Sequence, residues 1–224
     1  MASAGVPRLV MRGVSKRFGA TQALAGVDLA VHGGEVHALV GENGAGKSTL
    51  MKILSGAVPP DEGDMLLDGE PYRPQSPSDG RAAGVAMIYQ ELSLAPDLSV
   101  AENILLGVEP KRGPLVRWRQ LRRDASAALA QIGRSEIPLD VPARRLSIAE
   151  QQLVEIARSV AIGCRVLVLD EPTSTLPQGD VQQLFRLIRR LKARGLAIVY
   201  ISHFLEEIKE ICDRFTVLRD GKPS

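Results

Sequence analysis

At 224 residues the chain is long enough for one large domain or two small ones, and its 45% hydrophobic and 24% charged content is that of an ordinary globular protein. Its 28 lysines and arginines against 26 aspartates and glutamates leave a net charge of +2, which excludes a strongly basic binder of nucleic acid or acidic lipid. Two cysteines, Cys164 and Cys212, lack metal-ligand spacing and sit in apolar surroundings, so they are read as buried thiols of a reducing compartment.

The opening MASAGVPRLVMRG has no basic start followed by an apolar block, so no secretory signal is expected. Apolar runs such as 196–201 are too short to cross a bilayer. In chain order, strand patterning covers 8–14, 26–31 and 35–40, the last two joined at Gly33-Gly34. A hairpin signal follows at Asp68-Gly69. Three later runs, 85–89, 166–169 and 197–201, are apolar throughout, as strands covered on both faces are. Helical periodicity occupies 47–54, 119–132, 147–162, 181–194 and 204–211. This alternation predicts an α/β fold whose core is a mainly parallel sheet, with a small N-terminal antiparallel β subdomain. Strand patterning disappears between Glu91 and about Ile162, which predicts a helical insertion over about 91–162 within a core of 1–90 and 163–224. The closing FTVLRDGKPS places a strand before an Asp220-Gly221 turn without a return strand, so the chain is expected to be part of a longer polypeptide.

The strongest motif is GENGAGKST, Gly41 to Thr49, which matches GxxxxGK[ST] between a strand and a helix. Gly41, Gly44 and Gly46 let the backbone curl so that successive N–H groups, from Glu42, Asn43 and Ala45 onward, point at a phosphate chain. The positive end of the following helix dipole lies at the same place. Lys47 is expected to reach β- and γ-phosphates, and the Ser48 hydroxyl to ligate Mg²⁺. In RVLVLDEPTS, four apolar residues drive 166–169 into the sheet and leave Asp170 and Glu171 at its C-terminal edge, where ligands of open α/β folds bind. Beside a phosphate loop, Asp170 would hold Mg²⁺ through water and Glu171 would polarise the attacking water; without the loop the pair would equally be a strand-end cap. Pro172 stops the strand. His203, at the end of the next buried strand, offers a donor to a γ-phosphate, although a lone histidine there also suits a surface role. Gln90, after 85–89, offers a neutral amide to the metal shell or the water.

Taken in order, these residues resemble the nucleotide-binding domain of ABC transporters over essentially the whole chain. GENGAGKST is similar to Walker A, Gln90 to the Q-loop, LSIAEQ to the signature, VLVLDEPTS to Walker B with its glutamate, and His203 to the switch histidine. The stretches IYQELSLAPDLSVAENILLG, LSIAEQQLVEIARSV and EPTSTL resemble the first such domain of monosaccharide importers of the ribose, xylose and galactose type. The resemblance implies a P-loop NTPase core, ATP and Mg²⁺ as ligands, and adenine stacked on Phe18. It also implies ATP hydrolysis driving sugar uptake at the cytoplasmic face of the membrane, with permease subunits, a periplasmic or extracellular sugar-binding protein and a second ABC domain in the same polypeptide. No nucleic acid is expected as a partner: the basic face or long coiled-coil insertion of a soluble ABC ATPase acting on nucleic acid or ribosomes is not visible. A binding-only regulatory domain would not need Lys47, Asp170, Glu171 and His203 together, and a small-molecule P-loop kinase would not explain Ser147 or His203 in this order.

Two departures from the family pattern bear on mechanism. In Ser147-Ile148-Ala149-Glu150-Gln151, Ile148 and Ala149 stand where the signature carries glycines, while Ser147 and Glu150 form an S-x-x-E capping box ahead of an apolar stripe of Leu153, Ile156, Ala157 and Val160. This is at once a capped helix and, by resemblance, the face that meets a nucleotide held by the second domain. Pro177 in Ser174-Thr175-Leu176-Pro177 stands where the family carries an aspartate that links the two sites, so the two composite sites are expected to differ: the nucleotide on Lys47 is hydrolysed and the one completed by Ser147 turns over poorly.

Overall fold

The computed structural model describes residues 5–223. Residues 1–4, where the segment read for a secretory signal begins, and residue 224 lie outside the described residues. The chain opens with β1 (Leu9–Phe18), β2 (Thr21–Val31), β3 (Val36–Val40) and α1 (Lys47–Leu54). Next come β4 (Glu62–Leu67), β5 (Glu70–Pro71), α2 (Pro77–Ala82), β6 (Val85–Ile88) and α3 (Val100–Ile104). A small hairpin, β7 (Lys111–Arg112) and β8 (Leu115–Val116), leads to α4 (Trp118–Ile132), a 3-10 turn at Ala143–Arg145 and α5 (Ile148–Ala161). The remainder is β9 (Val166–Asp170), α6 (Gln178–Ala193), β10 (Ala197–Ile201), α7 (Leu205–Ile211), β11 (Arg214–Arg219) and β12 (Lys222–Pro223). These elements fall into two compact units, one of 1–87, 165–171 and 191–224, the other of 88–164 and 172–190.

The first unit holds two sheets. An antiparallel sheet runs in the order β2-β1-β4-β5, and its Asp68-Gly69 turn has positive φ at both residues, 52° and 84°, as a tight hairpin demands. Its inner face buries Leu9, Met11 and Val14 with Leu24, Val27 and Leu29. The second sheet has the order β12-β11-β3-β10-β9-β6, and β3 pairs in parallel with both β10 and β11, as does β9 with β10. Leu167, Val168, Leu169, Ile198 and Val199 are fully buried, which is why these strands read as unbroken apolar runs. Each such side chain contributes about 1.5–3 kcal/mol on leaving water.

In the second unit α4 buries Leu121, Ala125, Ala128, Leu129 and Ile132 at helical spacing and ends on Gly133 in the left-handed region, φ 75°. α5 buries Leu153, Val154, Ile156 and Ala157. The fully buried Asn103 of α3 accepts from Ala95 N–H at 2.8 Å and donates to the carbonyls of Ala95, Leu98 and Ser99, holding the loop ahead of the helix. Among the described residues no helix is long and apolar enough to cross a membrane.

Four features depart from the sequence reading. β2 begins at Thr21 rather than 26, because only Leu24 is buried in its first five residues and alternation is weak there. α2 and α3 were not anticipated: α2 buries only Gly80, and α3 has five residues, too few for a periodic signal. Strand structure does occur within 91–162, as β7 and β8, whose two-residue arms bury no alternating side chains. Residues Lys222–Pro223 do return along β11, as β12.

Burial pushes both cysteine thiols up to about 12, Cys212 with help from the charges of Asp213 and Glu207. The reactive thiolate is scarce at pH 8. Iodoacetamide is therefore expected to leave both unmodified in the folded protein and to label both after denaturation; fast labelling of the native chain contradicts this.

Candidate functional site

The parallel sheet brings three chain segments to one edge. Ile201 stands in register with Leu39 on one side and with Asp170 on the other. The chain therefore leaves β3 into 41–46, β9 into Glu171 and β10 into Ser202-His203 at the same level. Because β10 lies between β3 and β9, the loop and Asp170 are two strand spacings apart, about 9–10 Å. That gap suits a phosphate group and a cation rather than direct side-chain contact.

The loop is shaped from below. Gly44 and Gly46 have φ of 85° and 104°. A Cβ on Gly41 would stand 2.5 Å from the Leu218 carbonyl oxygen, and one on Gly46 2.7 Å from that of Ala23. The β11–β12 turn supports the same loop: Gly221 N–H donates to the Ala45 carbonyl at 3.1 Å, and Ala25 N–H donates to the Gly221 carbonyl at 2.8 Å. This support from Gly221 was not legible, since nothing in its sequence marks it beyond a turn. Ala45 turns its methyl into the core, whereas Glu42, Asn43, Gly44 and Ser48 are exposed and Thr49 is half-buried. Gly46 starts α1 with no side-chain cap and no acidic residue in the first turn, leaving the helix's N–H groups for an anion. Lys47 lies back across the loop, donating from Nζ to the carbonyls of Gly41 at 2.6 Å and Glu42 at 3.0 Å.

Burial raises the Asp170 carboxyl above its ordinary value, the neighbouring Glu171 charge pushes the same way, and Lys47 pulls it back. A carboxyl held higher in the fold than in the unfolded chain costs stability when ionised at pH 7 and returns it as the pH falls. Asp170→Asn is therefore expected to raise the melting temperature in the absence of ligands; a lowered melting temperature contradicts the desolvation account. Glu171 adopts φ 46°, a left-handed conformation rare for a side chain of its size, and its N–H donates to the Ile201 carbonyl at 2.9 Å. Strain of this kind, about 1–3 kcal/mol, clusters at functional sites. The turn sets Glu171 Oε1 3.2 Å from His203 Nδ1. His203 is half exposed, with its ring centroid 4.1 Å from that of Phe204. Its strand end is anchored by Glu207, whose Oε2 accepts from Tyr200 Oη at 2.8 Å and Ser202 Oγ at 2.9 Å. Glu207 was missed by the sequence reading, because an acid in an exposed first turn looks like an ordinary dipole partner.

Phe18 ends β1 with 49% of its surface exposed and Lys16 Nζ 5.7 Å from its ring centroid. It pairs with Thr21, just ahead of the Ala23 and Leu24 that abut Gly46.

Gln90 and the signature residues belong to the second unit. Gln90 is exposed, two residues past β6. The capping box at α5 is complete: Ser147 Oγ accepts from Glu150 N–H at 3.3 Å, while Glu150 Oε2 accepts from Ser147 N–H at 2.9 Å and from Ser147 Oγ at 2.9 Å. Gln151 donates from Nε2 to the Leu146 carbonyl at 3.0 Å, Ala149 is half-buried and Ile148 is 52% exposed. Pro177 caps the turn into α6, accepting from Asp180 N–H at 2.9 Å.

The family model described as "ABC transporter" matches residues 24–174. A Burkholderia ambifaria protein named "Putative ribose/galactose/methyl galactoside import ATP-binding protein 1" is 54% identical over 96% of this chain and 41% of its own length. "Ribose import ATP-binding protein RbsA 2" of Burkholderia pseudomallei is 56% identical over 96% of this chain and 42% of its own. The chain thus spans about two-fifths of the length of these curated relatives. Among solved structures, the ADP conformation of MJ1267, an ATP-binding cassette of an ABC transporter, superposes with a TM-score of 0.86 at 26% identity, covering 98% of this chain and 90% of that one. A nucleotide-free cassette gives 0.85 at 27% identity over 97% and 90%. The present chain belongs to the ABC transporter family.

Proposed function

We propose that this chain binds and hydrolyses ATP to energise import of a monosaccharide, acting at the cytoplasmic face of the inner membrane through permease subunits. A second ABC domain completes its nucleotide sites, and a periplasmic or extracellular sugar-binding protein delivers the substrate. The observation that carries the reading is Ile201, two residues before His203, level with Leu39 ahead of the 41–49 loop on one side and with Asp170 ahead of Glu171 on the other. The relatives' names support a sugar as cargo.

In this reading Phe18 stacks on adenine, and the N–H groups from Glu42 to Thr49 cradle the phosphates. Lys47 exchanges the carbonyls of Gly41 and Glu42 for β- and γ-phosphate oxygens. Ser48 and Asp170 are hard oxygen donors fit for Mg²⁺, and Asp170's raised carboxyl would be relieved by a cation. Among the described residues no three His, Cys, Asp or Glu side chains cluster to hold a metal. Mg²⁺ supplies neutralisation of charge on the transferred phosphoryl group. Glu171 orients and deprotonates the attacking water, and His203, held by Glu171, donates to the phosphoryl oxygens. The Ser147 end of α5 faces the nucleotide bound by the second domain.

Cells lacking the full-length gene are expected to lose accumulation of labelled ribose, xylose or galactose. The unsubstituted gene restores it and Lys47→Ala does not. Uptake unchanged by the deletion, or restored by Lys47→Ala, overturns the reading.

A further inference from the structure

Beyond its capping box, α5 buries Gln152 and Glu155, whose polarity packing does not require. Gln152, 6% exposed, donates from Nε2 to the Pro172 carbonyl at 2.7 Å. Glu155, 5% exposed, accepts at Oε1 from Ser93 N–H and, at 2.8 Å, from Ser93 Oγ. Spaced i, i+3, the two project from one side of the helix. Pro172 is the residue after Glu171, and Ser93 lies three residues after Gln90. Burying an amide and a carboxylate is costly, and leucines would fill the same volume more cheaply. What leucines would not supply is a fixed register between the helix and two particular backbone segments.

We propose that Gln152 and Glu155 are positioning residues: they tie α5 to the loops that carry Glu171 and Gln90, so that a displacement at Ser147 reaches the hydrolytic residues of the same chain. The inference rests on the proposed function, in which Ser147 meets a nucleotide held by the second domain. A helix moves as a rod, and the two ties lie about 7 and 12 Å along it from Ser147 at 1.5 Å per residue. Bonds to a carbonyl and to an N–H transmit such a shift, whereas apolar contacts slip. Charge-assisted hydrogen bonds are the stronger kind, and Glu155 makes two to one residue. The segment after Pro172 is incompletely bonded in this arrangement, since the buried Thr173 hydroxyl has no hydrogen-bond partner among the described residues. The pair thereby offers communication between sites that does not pass through position 177, where proline has no side-chain acceptor.

The test uses the full-length chain, with ATP affinity and turnover measured separately. Gln152→Leu and Glu155→Leu are expected to keep ATP affinity within about twofold and to lose turnover by about 10- to 100-fold, as for a misplaced catalytic group. Glu155→Gln, whose amide oxygen still accepts from Ser93, is expected to recover most of the loss. Should Glu155→Leu not fold, Ser93→Ala gives the reading, with about a tenfold loss of turnover and unchanged affinity. Full turnover in folded variants, or affinity and turnover falling in parallel, overturns the coupling alone. An unsubstituted chain that neither binds nor hydrolyses ATP instead overturns the proposed function, and the coupling with it.

Discussion

Glu171→Gln in the full-length protein is expected to bind ATP as tightly as the unsubstituted chain and to hydrolyse it about 10²–10⁴-fold more slowly, the usual contribution of a positioned general base. The amide keeps the size of the side chain and can still contact His203, now 3.2 Å from Oε1, but it cannot take a proton from water. With a left-handed φ of 46° at this residue, the side chain meets His203 at the end of the neighbouring β10. Under the proposed mechanism, in which Lys47 and the loop N–H groups hold the phosphates and Glu171 acts only on the nucleophile, binding and chemistry should separate cleanly. Rapid-quench turnover together with fluorescent-nucleotide binding measures both quantities. Hydrolysis within about threefold of normal would remove Glu171 from the mechanism, well short of the loss expected of a general base.

The second large effect is an asymmetry. Lys47→Ala is expected to abolish turnover, a loss of at least about 10²-fold for a donor aimed at developing charge. Ser147→Ala should cost less than about threefold, despite losing a helix cap worth about 1 kcal/mol. The reason is local and electrostatic. Glu150 Oε2 already accepts from the Ser147 N–H and hydroxyl, so a carboxylate sits at the positive end of α5, where an incoming phosphate would need those donors. The end is further crowded by the exposed Ile148 where a glycine would let backbone approach. Glu150→Gln removes that charge and is expected to raise turnover at the site completed by α5. Single-turnover assays on the full-length chain decide the matter, and equal losses from Lys47→Ala and Ser147→Ala refute the asymmetry.

The motifs were legible because each is written in contiguous residues whose chemistry is local. Three glycines spaced across nine positions dictate a loop that only small residues can follow, and four apolar residues before Asp170 dictate a strand covered on both faces. The Ser147–Glu150 box follows from the spacing of side chain and N–H in one helical turn. Local rules also account for what was missed: α2 and the β7–β8 hairpin are exposed or too short to carry a hydrophobic period.

Order along the chain thus established the residue types and the α/β class. It could not establish that β10 lies between β3 and β9, that Ile201 levels Leu39 with Asp170, or that Gly221 supports Ala45 from more than 170 residues away. Nor could it show that Gln152 and Glu155 spend buried polarity on Pro172 and Ser93. Those are pairings between distant segments, selected by which strands exclude water together and which buried donors find acceptors, and such choices arise only once the whole chain has folded.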